Sequence, residues 1–266
     1  MNYSVPVSSI IMMYVVVVFS FALPVVAVVF IRKKWKADFL PLWVGAVVFV
    51  LFAMVLERLV HSIVLGSSAG ATITGNVWLY GLYGGLMAGL FEETGRFVAF
   101  RTVLKKKLGK DQDALMYGAG HGGIEVILIL GVTMVNNLVY AAMLNGGTAA
   151  DVLATLDAQK QATLQAAFMQ LSTTGAGVYV FGMIERVAAF ALHMVLSVLV
   201  WFAAKNSKDR YLFAVAIVIH FIVDMAAVVL NASGVSVALI ELVVIVMVAL
   251  SVWYALRVWK CRKISK

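Results

Sequence analysis

Four short stretches set acids, imidazoles and guanidinium groups at spacings that suit chemistry on water. They are Glu92-Glu93-x-x-Arg96, His121-x-x-x-Glu125, Glu185-Arg186 followed by His193, and His220-x-x-x-Asp224. On a helix, residues four apart share a face, so Glu92 with Arg96, His121 with Glu125, and His220 with Asp224 are each aligned. Two chemistries suit such a set. Three neutral or anionic donors can hold a divalent metal, zinc before others, with a position left for water and a further carboxylate as base. Alternatively, a glutamate desolvated beside a second glutamate serves as general base with no metal. Both activate water. Other designs are missing: the chain has no His-Glu-x-x-His, no Gly-x-Gly-Asp and no Gly-x-Ser-x-Gly, and its last apolar run lacks the lysine a retinal would need.

The elements that carry these residues are membrane spans. Of 266 residues, 63% are hydrophobic and only 13% charged, and the mean hydropathy is +1.00. Soluble domains are nearer a quarter charged. A helix needs about 20 apolar residues to cross the hydrocarbon core. Seven runs qualify, at roughly 7–31, 41–65, 76–104, 113–144, 173–204, 210–231 and 235–258. The expected fold is therefore all-α, a single polytopic bundle over 1–266. The first run is not read as a cleavable signal peptide, because Met-Asn-Tyr-Ser lacks a basic start and the run is too long. The only long loop, 145–172, alternates apolar and polar residues at helical spacing and reads as an amphipathic helix on the outer surface. A single cysteine, Cys261, rules out an internal disulfide and a thiolate cluster.

Basic residues set the expected orientation. Arg32, Lys33, Lys34 and Lys36 follow the first run, Lys105, Lys106, Lys107 and Lys110 the third, and Lys205, Lys208 and Arg210 the fifth. Arg257, Lys260, Arg262, Lys263 and Lys266 close the chain, while the alternate loops hold only Lys160. This asymmetry predicts an outside N-terminus and a cytoplasmic C-terminus. The net charge of +8 is thus a topology signal with some attraction to anionic lipid, and not a nucleic-acid footprint.

Ionisable residues within spans are costly, and by default they mark function. At 1.5 Å per residue, Glu92, Glu93, Glu125, His193 and His220 lie roughly 15–22 Å from the basic ends, at one level on four helices. Arg96 reads as the counter-ion of Glu92. Glu57-Arg58 and Glu185-Arg186 sit at another depth and read as a structural salt-bridge cluster, with His61 also structural and Glu241 a polar lock for the last span. Glycines around 81–95 and 118–123 are expected to let helices approach closely.

The ordered motifs over 92–224 resemble the YhfC family of intramembrane metalloproteases, within the wider clan of CAAX prenyl proteases, bacteriocin-processing enzymes and PrsW-type proteases. The gap between Glu93 and Arg96 is closer to the PrsW form than to the CAAX form. The resemblance implies an intramembrane endopeptidase in a bacterial plasma membrane, acting on a membrane-embedded peptide. It also implies a catalytic set of Glu92, Glu93, Glu125, His193, His220 and Asp224, with Glu92 or Glu93 as base, Asp224 orienting His220, and Arg96 and His121 in support. Its metal set would be Glu93, Glu125, His193 and His220. Where relatives carry an aromatic residue four positions before the ligand, this chain has His121, which leaves the roles of His121 and Glu125 open. A proton- or cation-coupled carrier also buries such residues at mid-depth, and a catalytically silent member of the fold would keep them. Lipid and a membrane peptide are the expected partners, with no nucleic acid.

Overall fold

The structure, a computed structural model, describes residues 3–264. Met1, Asn2 and Lys266 fall outside them, as does the side chain of Lys263. Among the described residues the regular elements are helices. They are α1 (Val7–Trp35), α2 (Leu40–Leu65), α3 (Ser68–Thr74), α4 (Val77–Arg101), α5 (Asp113–Asn145), α6 (Ala149–Ala154), α7 (Ala158–Thr173), α8 (Ala176–Lys205), α9 (Tyr211–Ala232) and α10 (Val237–Ile264). Helices are the expected answer in lipid, where each backbone donor and acceptor must be satisfied within its own segment.

Among the described residues, six segments are long and apolar enough to cross a membrane: α1, α2, α5, α8, α10 and Ser207–Ala232, which contains α9. The chain is a helical polytopic membrane protein. The expected crossing at 76–104 corresponds to α4, which has 25 residues but is not among the six. Its glycines together with Glu92, Glu93 and Arg96 dilute its apolar character.

The chain falls into two compact units, Met1–Leu23 with Val126–Arg186 and Pro24–Glu125 with Val187–Lys266. In the smaller unit, the sequence 145–172 forms two helices rather than one. They part at Asp157, whose carboxylate accepts the Lys160 N–H at 2.9 Å and caps α7. Phe168 and Leu171 of α7 are buried, and Phe168 meets the Tyr140 ring edge-on at 5.6 Å.

The larger unit contains every site residue from 92 to 125 and from 193 to 224. Glycine seams hold it together. A β-carbon built on Gly85 of α4 would lie 2.6 Å from the Phe221 carbonyl oxygen of α9, and one on Gly89 2.9 Å from that of Ile217. Gly81, one turn earlier, faces Val229. Residues 81, 85, 89 and 93 share one stripe, so the seam that seats α4 on α9 continues directly into Glu93. α5 is wedged in the same manner. A β-carbon on Gly120 would meet the Leu42 carbonyl of α2 at 1.9 Å, and one on Gly118 the Met194 Cα of α8 at 2.7 Å. Small residues allow this approach, and packing then supplies the adhesion that water does not provide in lipid.

The seam gives a clean contrast. Gly85→Ala should destabilise by about 1–3 kcal/mol, since backbone atoms must shift to admit the methyl group. Gly84→Ala, with nothing within 4 Å of the built β-carbon, should be neutral or slightly stabilising. Thermal unfolding in detergent measures both; equal melting temperatures would remove the seam from the account.

Two helical segments are wider than α-helix. α2 is π-helical over Val50–Glu57 and α5 over Val126–Val132. Each abuts an acid, Glu57 at the end of one and Glu125 just before the other. A π-turn inserts a residue and re-aims the side chains of the next turn, and such turns collect at functional sites.

Between the helices, Asp38 receives Lys107 at 2.8 Å and Lys110 at 2.7 Å, and its own N–H donates to Asp113 at 2.8 Å. The two ammonium groups, Lys107 first, hold the Asp38 carboxyl down to about 2 from an ordinary 3.8. A depressed folded pKa stabilises fully above the unfolded value and is lost as pH falls through the folded one. Melting temperature should therefore drop between about pH 4 and pH 2 by more in the wild type than in Asp38→Asn. The difference should be small, because the pair is partly in solvent.

Candidate metal centre

Four helices deliver the site from those of their residues that lie in the larger unit. α4 brings Glu92, Glu93 and Arg96; α5 brings Tyr117, His121 and Glu125, spaced by four on one face; α8 brings His193; α9 brings His220 and Asp224. Adjacent residues on a helix point about 100° apart, which sends the two glutamates to different partners. Glu93, on the glycine stripe, turns to α9 and accepts His220 Nδ1 at 2.8 Å. Glu92 turns to α5, where its Oε2 stands 2.8 Å from His121 Nε2.

Arg96 corrects one reading. Its guanidinium pairs with Glu93, not Glu92: Nη1 donates to both Glu93 oxygens at 2.9 Å, and Nη2 donates to His193 Nδ1 at 3.1 Å. Glu93 and Arg96 are both fully buried. A guanidinium has no lone pair, so His193 Nδ1 is the acceptor and the ring proton resides on Nε2. That N–H faces Glu125, with which His193 forms a close pair.

His193 Nδ1 also lies 3.7 Å from Glu92 Oε2. Glu92 Oε2 is thus the atom on which two imidazoles from two other helices converge. One donor atom each from Glu92, His121 and His193 lies within 4.8 Å of the other two, and all three residues are buried. The rings of His121 and His193 are 4.9 Å apart, and those of His193 and His220 5.5 Å. Phe49 meets His121 edge-on at 5.2 Å, and Tyr117 stacks beside it at 6.1 Å. These rings pack around the converging donors.

A divalent metal suits this donor set on two observations. One carboxylate and two imidazoles are the ligands of hydrolytic zinc sites with an open fourth position. His121, moreover, is fully buried, and its Nδ1 has no hydrogen-bond partner. A stranded atom of this kind costs about 1–3 kcal/mol, which a ligand or water offsets. The site also gathers four carboxylates, those of Glu92, Glu93, Glu125 and Asp224, with one guanidinium, that of Arg96, an anionic excess that a cation would balance.

The structure thus brings all eight sequence-singled residues to one place, though in different company from that anticipated. Of the expected metal set Glu93, Glu125, His193 and His220, only His193 belongs to the converging triad. Glu93 is engaged by Arg96 and His220, and Glu125 by His193. Asp224 Oδ2 is 3.5 Å from His220 Nε2, and its side chain is 37% exposed, at the rim. Tyr117 escaped the sequence reading; the spacing Tyr117-x-x-x-His121-x-x-x-Glu125 was its signal. His61, read as structural, joins Glu57 at 3.1 Å and Tyr83 at 2.8 Å. Glu185 pairs with its neighbour Arg186 in the smaller unit.

Fold and site together define a polytopic helical membrane protein with a buried glutamate–histidine centre. The chain belongs to the YhfC intramembrane metalloprotease family, whose profile matches residues 19–248 and so takes in every site residue. It is 36% identical over 241 residues to a Bacillus subtilis (strain 168) protein named "Uncharacterized membrane protein YhfC", covering 90% of this chain and 92% of that one. No solved structure matches.

Proposed function

We propose that the protein is an intramembrane endopeptidase of a bacterial plasma membrane, crossing seven times with α4 as the seventh span and its basic loops in the cytoplasm. The convergence of Glu92, His121 and His193 donors from three helices carries this reading. These residues would hold a divalent metal, with zinc favoured by the donor set. Such an ion, when bound, acts as a Lewis acid toward a carbonyl oxygen and activates water.

The protein's own groups do the rest. Glu125 accepts the His193 Nε2 proton and thereby fixes the tautomer that points the Nδ1 lone pair toward Glu92, the usual service of a carboxylate behind a ligating histidine. Arg96 Nη2 occupies that lone pair and so keeps it unprotonated; a metal held by His193 would take the place of this hydrogen bond. Glu125 is the acceptor for the proton of water, being a buried carboxylate beside the triad but outside it. Glu93, with both oxygens held, is an anchor: it ties α4 to α9 through His220 and fixes Arg96. Asp224 takes the outer face of His220 and links this pair to the rim.

Cleavage of a panel of transmembrane peptides by purified protein in nanodiscs tests the proposal. Wild type should cut at least one peptide, and Glu125→Gln should slow it by roughly 10²–10⁴-fold, the range for a lost general base. Equal cutting by the variant would overturn this assignment. Cation flux into liposomes without peptide cleavage would replace a peptidase by a carrier.

A further inference from the structure

An apolar groove of about 440 Å³ lies in the larger unit, away from the glutamates and histidines. α1 lines it with Phe30, Ile31 and Trp35, and α10 with Leu256 and Trp259. From Ala27 to Trp35 it follows α1 over nine residues, a rise of about 12 Å. Phe30 is 53% and Leu256 56% exposed, so the groove opens sideways, where lipid would be. Its back wall is one face of α8: Ala191, Met194, Val195 and Val198. At 100° per residue these centre about 150° round the helix from His193. The groove therefore cannot present a peptide bond to the triad, and it is not the substrate channel.

A second, shallower apolar groove runs along Val25, Val26 and Val29 and shares Phe30 with the first. Lys33 and Lys34 line its end. The Lys34 ammonium stands 5.1 Å from the centre of the Phe30 ring, which both grooves share, and 4.8 Å from that of Trp35, which lines the first. Arg32, by contrast, is spent on the backbone, donating to the Ala37 carbonyl at 2.7 Å. Two apolar clefts that fork beneath a cation match a molecule with two hydrocarbon chains and one negative head.

We propose that the forked groove binds a single diacyl anionic phospholipid, one chain in each cleft and the phosphate at Lys34. Tryptophans at the mouth suit the interfacial depth of a lipid headgroup. This site is independent of the peptidase reading and would serve a silent or a carrier protein equally.

Fluorescence quenching in reconstituted vesicles tests it. Phosphatidylcholine vesicles receive a minor fraction of either phosphatidylglycerol or phosphatidylcholine brominated in mid-chain. The protein has six tryptophans, and the double variant Trp35→Phe/Trp259→Phe assigns the signal from the groove. Brominated phosphatidylglycerol should quench Trp35 and Trp259 with roughly fivefold preference, the factor that one basic residue near an anionic headgroup supplies. Lys34→Glu should erase the preference while leaving quenching by brominated phosphatidylcholine intact, and inorganic phosphate should not compete. Equal quenching by both lipids would overturn the proposal, as would a preference that survives Lys34→Glu. Displacement of the brominated lipid by a transmembrane peptide would assign the groove to a peptide instead.

Discussion

Glu92→Gln is expected to lower peptide cleavage by at least 10²–10⁴-fold while leaving the fold intact. Glu92 Oε2 is the atom toward which His121 Nε2, at 2.8 Å, and His193 Nδ1, at 3.7 Å, both turn. An amide at this position keeps the shape but loses the negative charge on which the donor set depends. The range is that of a general acid–base contribution, and loss of a metal ligand would push beyond it. The size of the loss separates Glu92 from its neighbour. Glu93→Gln should act first on stability, because Glu93 bonds to Arg96 and His220 rather than to the converging triad. Cleavage rates normalised to the folded fraction measure the distinction. If Glu92→Gln cuts as fast as wild type, Glu92 is not at the centre of the chemistry.

Arg96→Leu carries the largest expected effect on folding, about 3–5 kcal/mol, the usual penalty for removing one partner of a buried ion pair. Arg96 has no exposed surface and ties α4 to α8 by way of His193 while pairing with Glu93 on its own helix. Its loss would strand the Glu93 carboxylate, with only His220 to meet it. The double variant Arg96→Leu/Glu93→Leu should recover part of the stability, because the stranded charge is removed with its partner. Thermal unfolding of both variants in one detergent reads the difference. Equal loss in single and double variants would mean that the network is held by something other than this pair.

Much of this was legible in the sequence, for reasons that individual residues make plain. The helical polytopic class and six of the spans were readable because long apolar runs with few charges are distinctive. The glycine seam could be anticipated from Gly81, Gly85 and Gly89 at intervals of four. Which acid meets which base was not readable. Glu92 and Glu93 are adjacent, so helical spacing assigns Arg96 to either, at four or three residues. The choice is made by α9, whose His220 claims Glu93, and by α5, whose His121 claims Glu92. His121 was likewise ambiguous: an imidazole four residues before Glu125 can support or ligate. Only packing against Gly45 and Phe49 of α2 on one side and α8 on the other sets where its ring stands. The break at Asp157 and the π-turns beside Glu57 and Glu125 have no signature in hydrophobic periodicity.

The most direct measurement is the metal content of purified protein after zinc loading and gel filtration, taken across single variants. Wild type should retain close to one ion per chain. Glu92→Gln, His121→Ala and His193→Ala should each lose it, and Asp224→Asn, at the rim, should keep it. A wild type that retains no ion would contradict the account, and so would a His121→Ala protein that holds zinc as well as wild type does.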